Sequence, residues 1–332
     1  MNVLIVGAGA VGQVYGYHLQ QGGAEVTFLL KEKYWESAKN GFTLFPLNRR
    51  KSPLHWQSYD LVTKADEIAE KHWDQCWLAI SSPALGGPWL KEVLNAIGHG
   101  TVVSLLPGLK DAELLGELVP AKRLVLGGIS LISYQAPLPG ENRFSRSGVA
   151  YWFPPLMPSP FSGPFDEVVR VVALLKRGGQ PARQHTDVRQ LMPWPTAVMM
   201  PLLVALEAAN WSFDEFRRGP LLRSGCDGAG EALEIVSRYM ESAPPRVVDL
   251  VRPWLVRLLI PFCQAFIPLP IETYLEYHFT KVGDQTRMLV DHYIEFGTAH
   301  HLSTRALREL RHQVEEESTV NSGASGLGRP RF

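Results

Sequence analysis

The chain has no surplus of charge of either sign. Lysine plus arginine and aspartate plus glutamate each total 33, so there is no electrostatic footprint for a nucleic-acid partner. Cysteine is nearly missing: Cys76, Cys226 and Cys263 are odd in number, far apart and without Cys-x-x-Cys spacing. That excludes a disulfide framework and a thiolate metal site, and fits buried thiols in a reducing compartment. No long apolar run is free of breakers. The best candidate, Trp254 to Ile271, contains Arg257, Pro261, Pro268 and Pro270, which argues against a spanning helix. The first strand begins at the N-terminus, so no signal peptide is expected and a cytoplasmic location is. Only the end, Ser318–Phe332, is small, polar and glycine-rich, and it is expected to be disordered.

What is present starts at residue 2. Asn2–Val6 is a short apolar run of strand type. Gly7, Gly9 and Gly12 follow, then an amphipathic stretch Val11–Gln21, then a second strand at Glu25–Leu30. A G-x-G-x-x-G pattern between a strand and a helix is the fingerprint of dinucleotide binding. Gly7 permits the turn, Gly9 lets the backbone approach a diphosphate, and Gly12 lets the helix pack closely on the sheet. The phosphates are expected at Gly9, Ala10, Val11 and Gly12, on the N–H groups of the helix start. NAD-binding versions place an acid at the end of the second strand. Here Lys31 comes first, a cation suited to a 2′-phosphate, so NADP (as NADPH) is expected over NAD, although Glu32 is within reach of a hydroxyl.

Strand and helix signals alternate after this. Strands are expected at Phe42–Leu47, Leu54–Ser58, Cys76–Ile80, Thr101–Leu106, Arg123–Ile132, Ser145–Phe153 and Ala182–His185. Helices are expected at Thr63–Lys71, Trp89–Ile97, Leu109–Leu118 and Phe165–Arg177, and Pro154–Pro164 reads as loop for its prolines. Beyond Asp187 strand signals nearly vanish, and helices are expected at Pro195–Ala209, Gly228–Glu241, Pro245–Ala265, Glu272–Phe279, Gln285–Thr298 and Thr304–Glu317. The fold class is therefore α/β: a Rossmann-type doubly wound parallel sheet over residues 1–186, then an all-helical substrate or dimerisation domain over 187–317, with 318–332 as tail. The apolar helix Trp254–Ile267 is a candidate homodimer surface or simply the core of the helical domain. No metal site is expected, because the His300-His301 pair lacks ligand spacing.

With Gly7–Gly12 at the N-terminus, Lys31 after the second strand and a helical second half, the chain resembles the ketopantoate reductase family. Phe296–Leu307 is similar to that family's closing segment, and Met200-Pro201-Leu202-Leu203 to its Asn-Pro-Leu-Thr stretch. The resemblance implies reduction of 2-dehydropantoate by NADPH. It also implies a lysine that protonates the alcohol oxygen and two asparagines after it on the same helix face. Those positions fall on Met192, Thr196 and Met200. The family's glutamate falls on Gln285 and its carboxylate-holding serine on Thr273. On the cofactor side, a lysine becomes Ser82 in Ile80-Ser81-Ser82, and the His-Asn-Gly loop becomes Leu106-Pro107-Gly108. A general acid contributes about 10²–10⁴ in rate, so its loss cripples this version of the chemistry. The only lysine after Lys176 is Lys281, four residues before Gln285, with His278, His292 and Asp291 as other acids in the region.

The expectation is an NADPH-dependent oxidoreductase acting on a 2-oxo acid or another small carbonyl compound, which would enter a crevice near Thr196, Thr273 and Gln285. The alternative is an NADP-binding sensor or scaffold that has lost catalysis.

Overall fold

The computed structural model describes residues 1–48, 52–106, 108–246 and 251–324. The chain divides into two compact units, Met1–Met192 and Pro193–Phe332. The first unit opens with β1 (Asn2–Val6), α1 (Ala10–Gln21), β2 (Glu25–Leu29), α2 (Trp35–Lys39), β3 (Phe42–Pro46), β4 (Leu54–Trp56), β5 (Asp60–Val62) and α3 (Ala65–Ala69). It continues with β6 (Gln75–Leu78), α4 (Trp89–Ala96), β7 (Thr101–Ser104), α5 (Leu109–Leu118), β8 (Leu124–Gly127), β9 (Ile132–Ala136) and β10 (Gly148–Trp152). It ends with β11 (Ser159–Ser162), α6 (Phe165–Arg177), β12 (Ala182–Gln184) and α7 (Val188–Leu191).

Eight strands form one sheet in the order β12-β11-β8-β7-β6-β1-β2-β5. All neighbours are parallel except β11 with β8. The strands are short apolar runs because both faces are covered. On one face Val14, Tyr15 and Leu19 of α1 and Val168, Val171, Val172 and Leu175 of α6 pack with Val3, Ile5, Phe28 and Trp77 of the sheet. On the other, Ile68 of α3, Leu90 and Val93 of α4 and Leu115 of α5 meet Leu4, Cys76, Leu78 and Val102. Strand order reverses around β1, with β2 on one side and β6 on the other. Ligands of doubly wound sheets bind at such a switch point, outside the C-terminal ends of the strands.

Three features depart from the sequence reading. The expected strand Arg123–Ile132 is two: β8 stays in the large sheet, while β9 joins a separate four-stranded sheet of order β4-β3-β10-β9. The chain leaves at Gly127-Gly128, where Phe161 and Pro160 press on the backbone and leave no room for side chains. The segment expected as loop for its prolines contains β11. Phe161 pairs with Gly127 and Ser162 with Leu126, so Pro160 falls opposite Gly128, just past the end of β8. The Gly128 N–H still donates to the Pro160 carbonyl at 2.8 Å, while the N–H that proline lacks cannot return the bond, so the ladder ends at this pair, where a sheet tolerates proline. Finally, the last helix runs to Ala324, into the stretch expected to be disordered. It carries an i,i+4 pair between Arg311 and Glu315 at 3.0 Å, of the kind that stabilises an exposed helix.

The described part of the second unit is helical throughout: α8 (Pro193–Glu207), α9 (Phe213–Arg218), α10 (Leu221–Met240), α11 (Pro253–Phe266), α12 (Ile271–Lys281), α13 (Gly283–Ala299) and α14 (Arg305–Ala324). Its core is the contact of α8 with α10, closed by α13 and α14. Ala205, Ala229, Ala232 and Val236 are fully buried, small residues that let the helices approach.

Candidate functional site

The glycine loop joins β1 to α1 at the strand-order reversal. Gly7 has φ +101°, a conformation that side chains other than hydrogen rarely adopt. Its N–H donates to the Leu29 carbonyl at 3.0 Å, holding the loop against the end of β2. Gly9 caps α1 with no side-chain partner, and a Cβ built there would meet nothing within 4 Å. At Gly12 a Cβ would overlap the Gly7 carbonyl oxygen, so the helix lies directly on the loop. The first bond of α1 runs from the Gln13 N–H to the Gly9 carbonyl at 2.9 Å. The N–H groups of Ala10, Val11 and Gly12 precede it and have no acceptor within the helix. Gln13 also donates from Nε2 to the Ala8 carbonyl at 2.8 Å, bracing the loop from inside.

Two more loops leave the same edge of the sheet, after β6 and after β7. The Ser82 hydroxyl donates to Asp111 Oδ2 at 2.6 Å, and the Gly108 N–H donates to the same oxygen at 2.7 Å. Both Ser82 and Asp111 are buried. Asp111 lies in the first turn of α5, where a carboxylate also suits the helix dipole. Asp111 therefore ties the two loops together, a role the sequence reading missed because an acid in a first turn is ordinary. Ser81 is exposed beside this clamp. Pro107 lies outside the described residues. Lys31 and Glu32 are both exposed just past β2, and the Lys31 carbonyl accepts from the Tyr34 N–H at 2.8 Å, which starts a short turn.

The residues expected to handle substrate divide between the units. Met192 ends the first unit, following α7, and its Sδ lies 2.6 Å from where a Cβ on Gly128 would stand. Thr196 and Met200 are buried one turn apart on α8. Thr273 is half-buried on α12, Lys281 ends that helix exposed, and Gln285 follows in the first turn of α13. Thr273, Lys281 and Gln285 thus share one helix–turn–helix. His278 stacks on Tyr274 with ring centroids 5.4 Å apart. Burial and then the Lys281 charge push its pKa down to about 4, so it is neutral at pH 7 and carries no proton of the imidazolium type to give.

A charged cluster of the second unit also escaped the sequence reading. Arg287 of α13 donates to Glu207 of α8 at 3.2 Å, and Arg311 of α14 grips Asp291 with bonds of 2.7 and 3.1 Å. Burial raises the Glu207 pKa, with Arg287 and Arg311 opposing it. Arg217 and Arg218 of α9 both face Asp214 at 3.8 Å.

Residues 3–156 match the family model for ketopantoate reductase PanE/ApbA. That stretch is just under half of the chain and is similar to the family. A 2-dehydropantoate 2-reductase from Archaeoglobus fulgidus is 26% identical over 198 residues, covering 60% of this chain and 60% of that protein. In fold, the chain is similar to a 2-dehydropantoate 2-reductase from Geobacter metallireducens, with TM-score 0.72, 16% identity and coverage of 96% and 100% of the two chains. A ketopantoate reductase from Ralstonia eutropha gives TM-score 0.74 at 16% identity, covering 95% and 97%. A D-mandelate dehydrogenase solved with NADH and anilino(oxo)acetate gives TM-score 0.67 at 15% identity, covering 97% and 99%. The matched region holds the glycine loop, Lys31 and the Asp111 clamp, and it ends before β11.

Proposed function

We propose that this chain is an NADPH-dependent oxidoreductase that reduces a 2-oxo acid or another small carbonyl compound. The observation that carries the reading is the glycine loop: open space at Gly9, N–H groups of Ala10–Gly12 without helical acceptors, and a tight seat at Gly12, all at the strand-order reversal. These residues fit a dinucleotide diphosphate. Lys31 offers its cation to a 2′-phosphate, while Ser81 and Gly108 border the same sheet edge. A bound nicotinamide supplies the hydride. Lys281, exposed at the end of α12, is our candidate proton donor, and Gln285 and Thr273 of the same helix–turn–helix are candidate hydrogen-bonding partners of the carbonyl compound.

Titration with NADPH and NADH, followed by a panel of 2-oxo acids including ketopantoate, tests this. NADPH is expected to bind more tightly than NADH, and Lys31→Ala to lower NADPH affinity by about tenfold, the worth of one exposed phosphate contact, while leaving NADH unchanged. Lys281→Met should lower kcat by roughly 100-fold or more with cofactor affinity intact. Failure of both nucleotides to bind would end the proposal. Met192 and Met200, which replace the expected proton donor and amide, favour a second reading, an NADP-binding sensor or scaffold. It predicts tight NADPH binding and no turnover with any carbonyl compound.

A further inference from the structure

Helix α11 turns most of its large apolar side chains outward. Of its fourteen residues only Ile260 is buried. Trp254, Leu258, Phe262 and Phe266 are 67%, 55%, 54% and 77% exposed, and at four-residue spacing they form one ridge along the helix. Leu259 and Cys263 flank that ridge, both exposed. The helix is nonetheless fixed in place. Ile260 and Leu269 are buried, Gln264 reaches Glu272 at 3.4 Å, and Glu272 also accepts the Phe213 N–H at 2.7 Å.

We propose that this ridge is the contact between two copies of the chain, packed helix against helix about a two-fold axis. Area supports it. The three rings together expose close to two whole aromatic side chains, roughly 300–500 Å² at about 150–250 Å² each. That alone matches the largest apolar patch of a typical monomer, a size that is often functional. Leu258, Leu259 and Tyr277 carry it toward the ~800 Å² per partner of a stable association. Geometry supports it too: identical i,i+4 ridges interdigitate when two helices cross at about 50°, and a self-complementary patch closes as a dimer. Charge argues against a lipid surface. Helices that lie on membranes are rich in lysine and arginine, whereas α11 has Arg257 alone and α12 adds Glu272 and Glu276 against Lys281. Nor is either helix alone long enough to cross a bilayer, and the two meet at a bend of 100°.

The test is sedimentation velocity on the full chain at 1–100 µM (roughly the range that separates weak from stable dimers), beside the double variant Leu258→Glu, Phe262→Glu. We expect a wild-type dimer and at least a 30-fold weaker association in the variant, the loss of one hot-spot residue or more. Both sites are more than half exposed, so the variant should keep its circular dichroism and NADPH affinity. Phe266→Ser serves as a milder substitute if it does not. Alkylation of Cys263 should be slower in the wild type than in the variant. A wild type that is monomeric at the highest concentration, or a dimer untouched by the substitutions, overturns the proposal. So does ridge-dependent co-sedimentation of a monomer with phosphatidylcholine–phosphatidylglycerol vesicles.

Discussion

Gly9→Ala and Gly12→Ala should fail in opposite ways. A methyl group at Gly9 enters open space from a backbone at φ −71°, ψ −176°, which alanine adopts without strain. Folding stability should change by less than about 0.5 kcal/mol. The same methyl group, however, stands where a diphosphate must approach. Displacing two charge-assisted hydrogen bonds is expected to weaken NADPH binding by roughly 100-fold. At Gly12 the methyl group overlaps the Gly7 carbonyl oxygen, and a backbone atom cannot rotate away. Either α1 lifts from the sheet or the loop shifts. The cost should be about 3 kcal/mol, at the upper end for overpacking, or a drop of ~6–12 °C in melting temperature for a unit of this size. Calorimetric melts with and without NADPH separate the two. Equal melting temperatures for both variants would refute this account of the loop.

Asp111→Ala is expected to destabilise the fold at least as much as Gly12→Ala. Its Oδ2 serves both the Ser82 hydroxyl and the Gly108 N–H in a buried setting. Each bond to a charged acceptor contributes about 1.5–3 kcal/mol, and removing the acceptor also leaves two buried donors unpaired. A loss of roughly 3–4 kcal/mol follows, together with release of two loops from the sheet edge where the dinucleotide is proposed to lie. Asp111→Asn keeps an acceptor oxygen and should recover part of the stability. Ser82→Ala should cost only ~1 kcal/mol, because the carboxylate keeps Gly108. In the double variant Asp111→Ala, Ser82→Ala the two losses should not add. Independent, additive losses in urea unfolding would show that Asp111 does not join the loops.

How much of this was legible in the sequence depends on what each residue encodes locally. The β1–loop–α1 unit was fully legible because Gly7, Gly9 and Gly12 each answer a backbone requirement within six residues. Strands β3 and β10 were legible singly, but their pairing of Leu44 with Val149 joins segments far apart in the chain, and alternation carries no information on partners. Strand β11 was hidden by the prolines around it, because Pro160 is tolerated only where the ladder with β8 ends, and that place is not written in the local sequence. Asp111 was invisible because its two partners come from other loops. In the helical unit, periodicity located α8, α12 and α13. It did not show that Arg287 would cross to Glu207, nor that burial would leave His278 neutral.

The matched region of the family model ends at residue 156, yet the large sheet is completed only by β11, which lies between β8 and β12. An evolutionary boundary and a folding boundary therefore disagree by some thirty residues. A fragment cut at the former would leave the outer edge of β8 bare and strip α6 from the face it shares with α1, presenting an unpaired edge and an uncovered apolar layer to the next molecule. Expression of the first unit on its own has to extend through β12 and α7 to Met192, or the product will be an aggregate with all of its glycines intact.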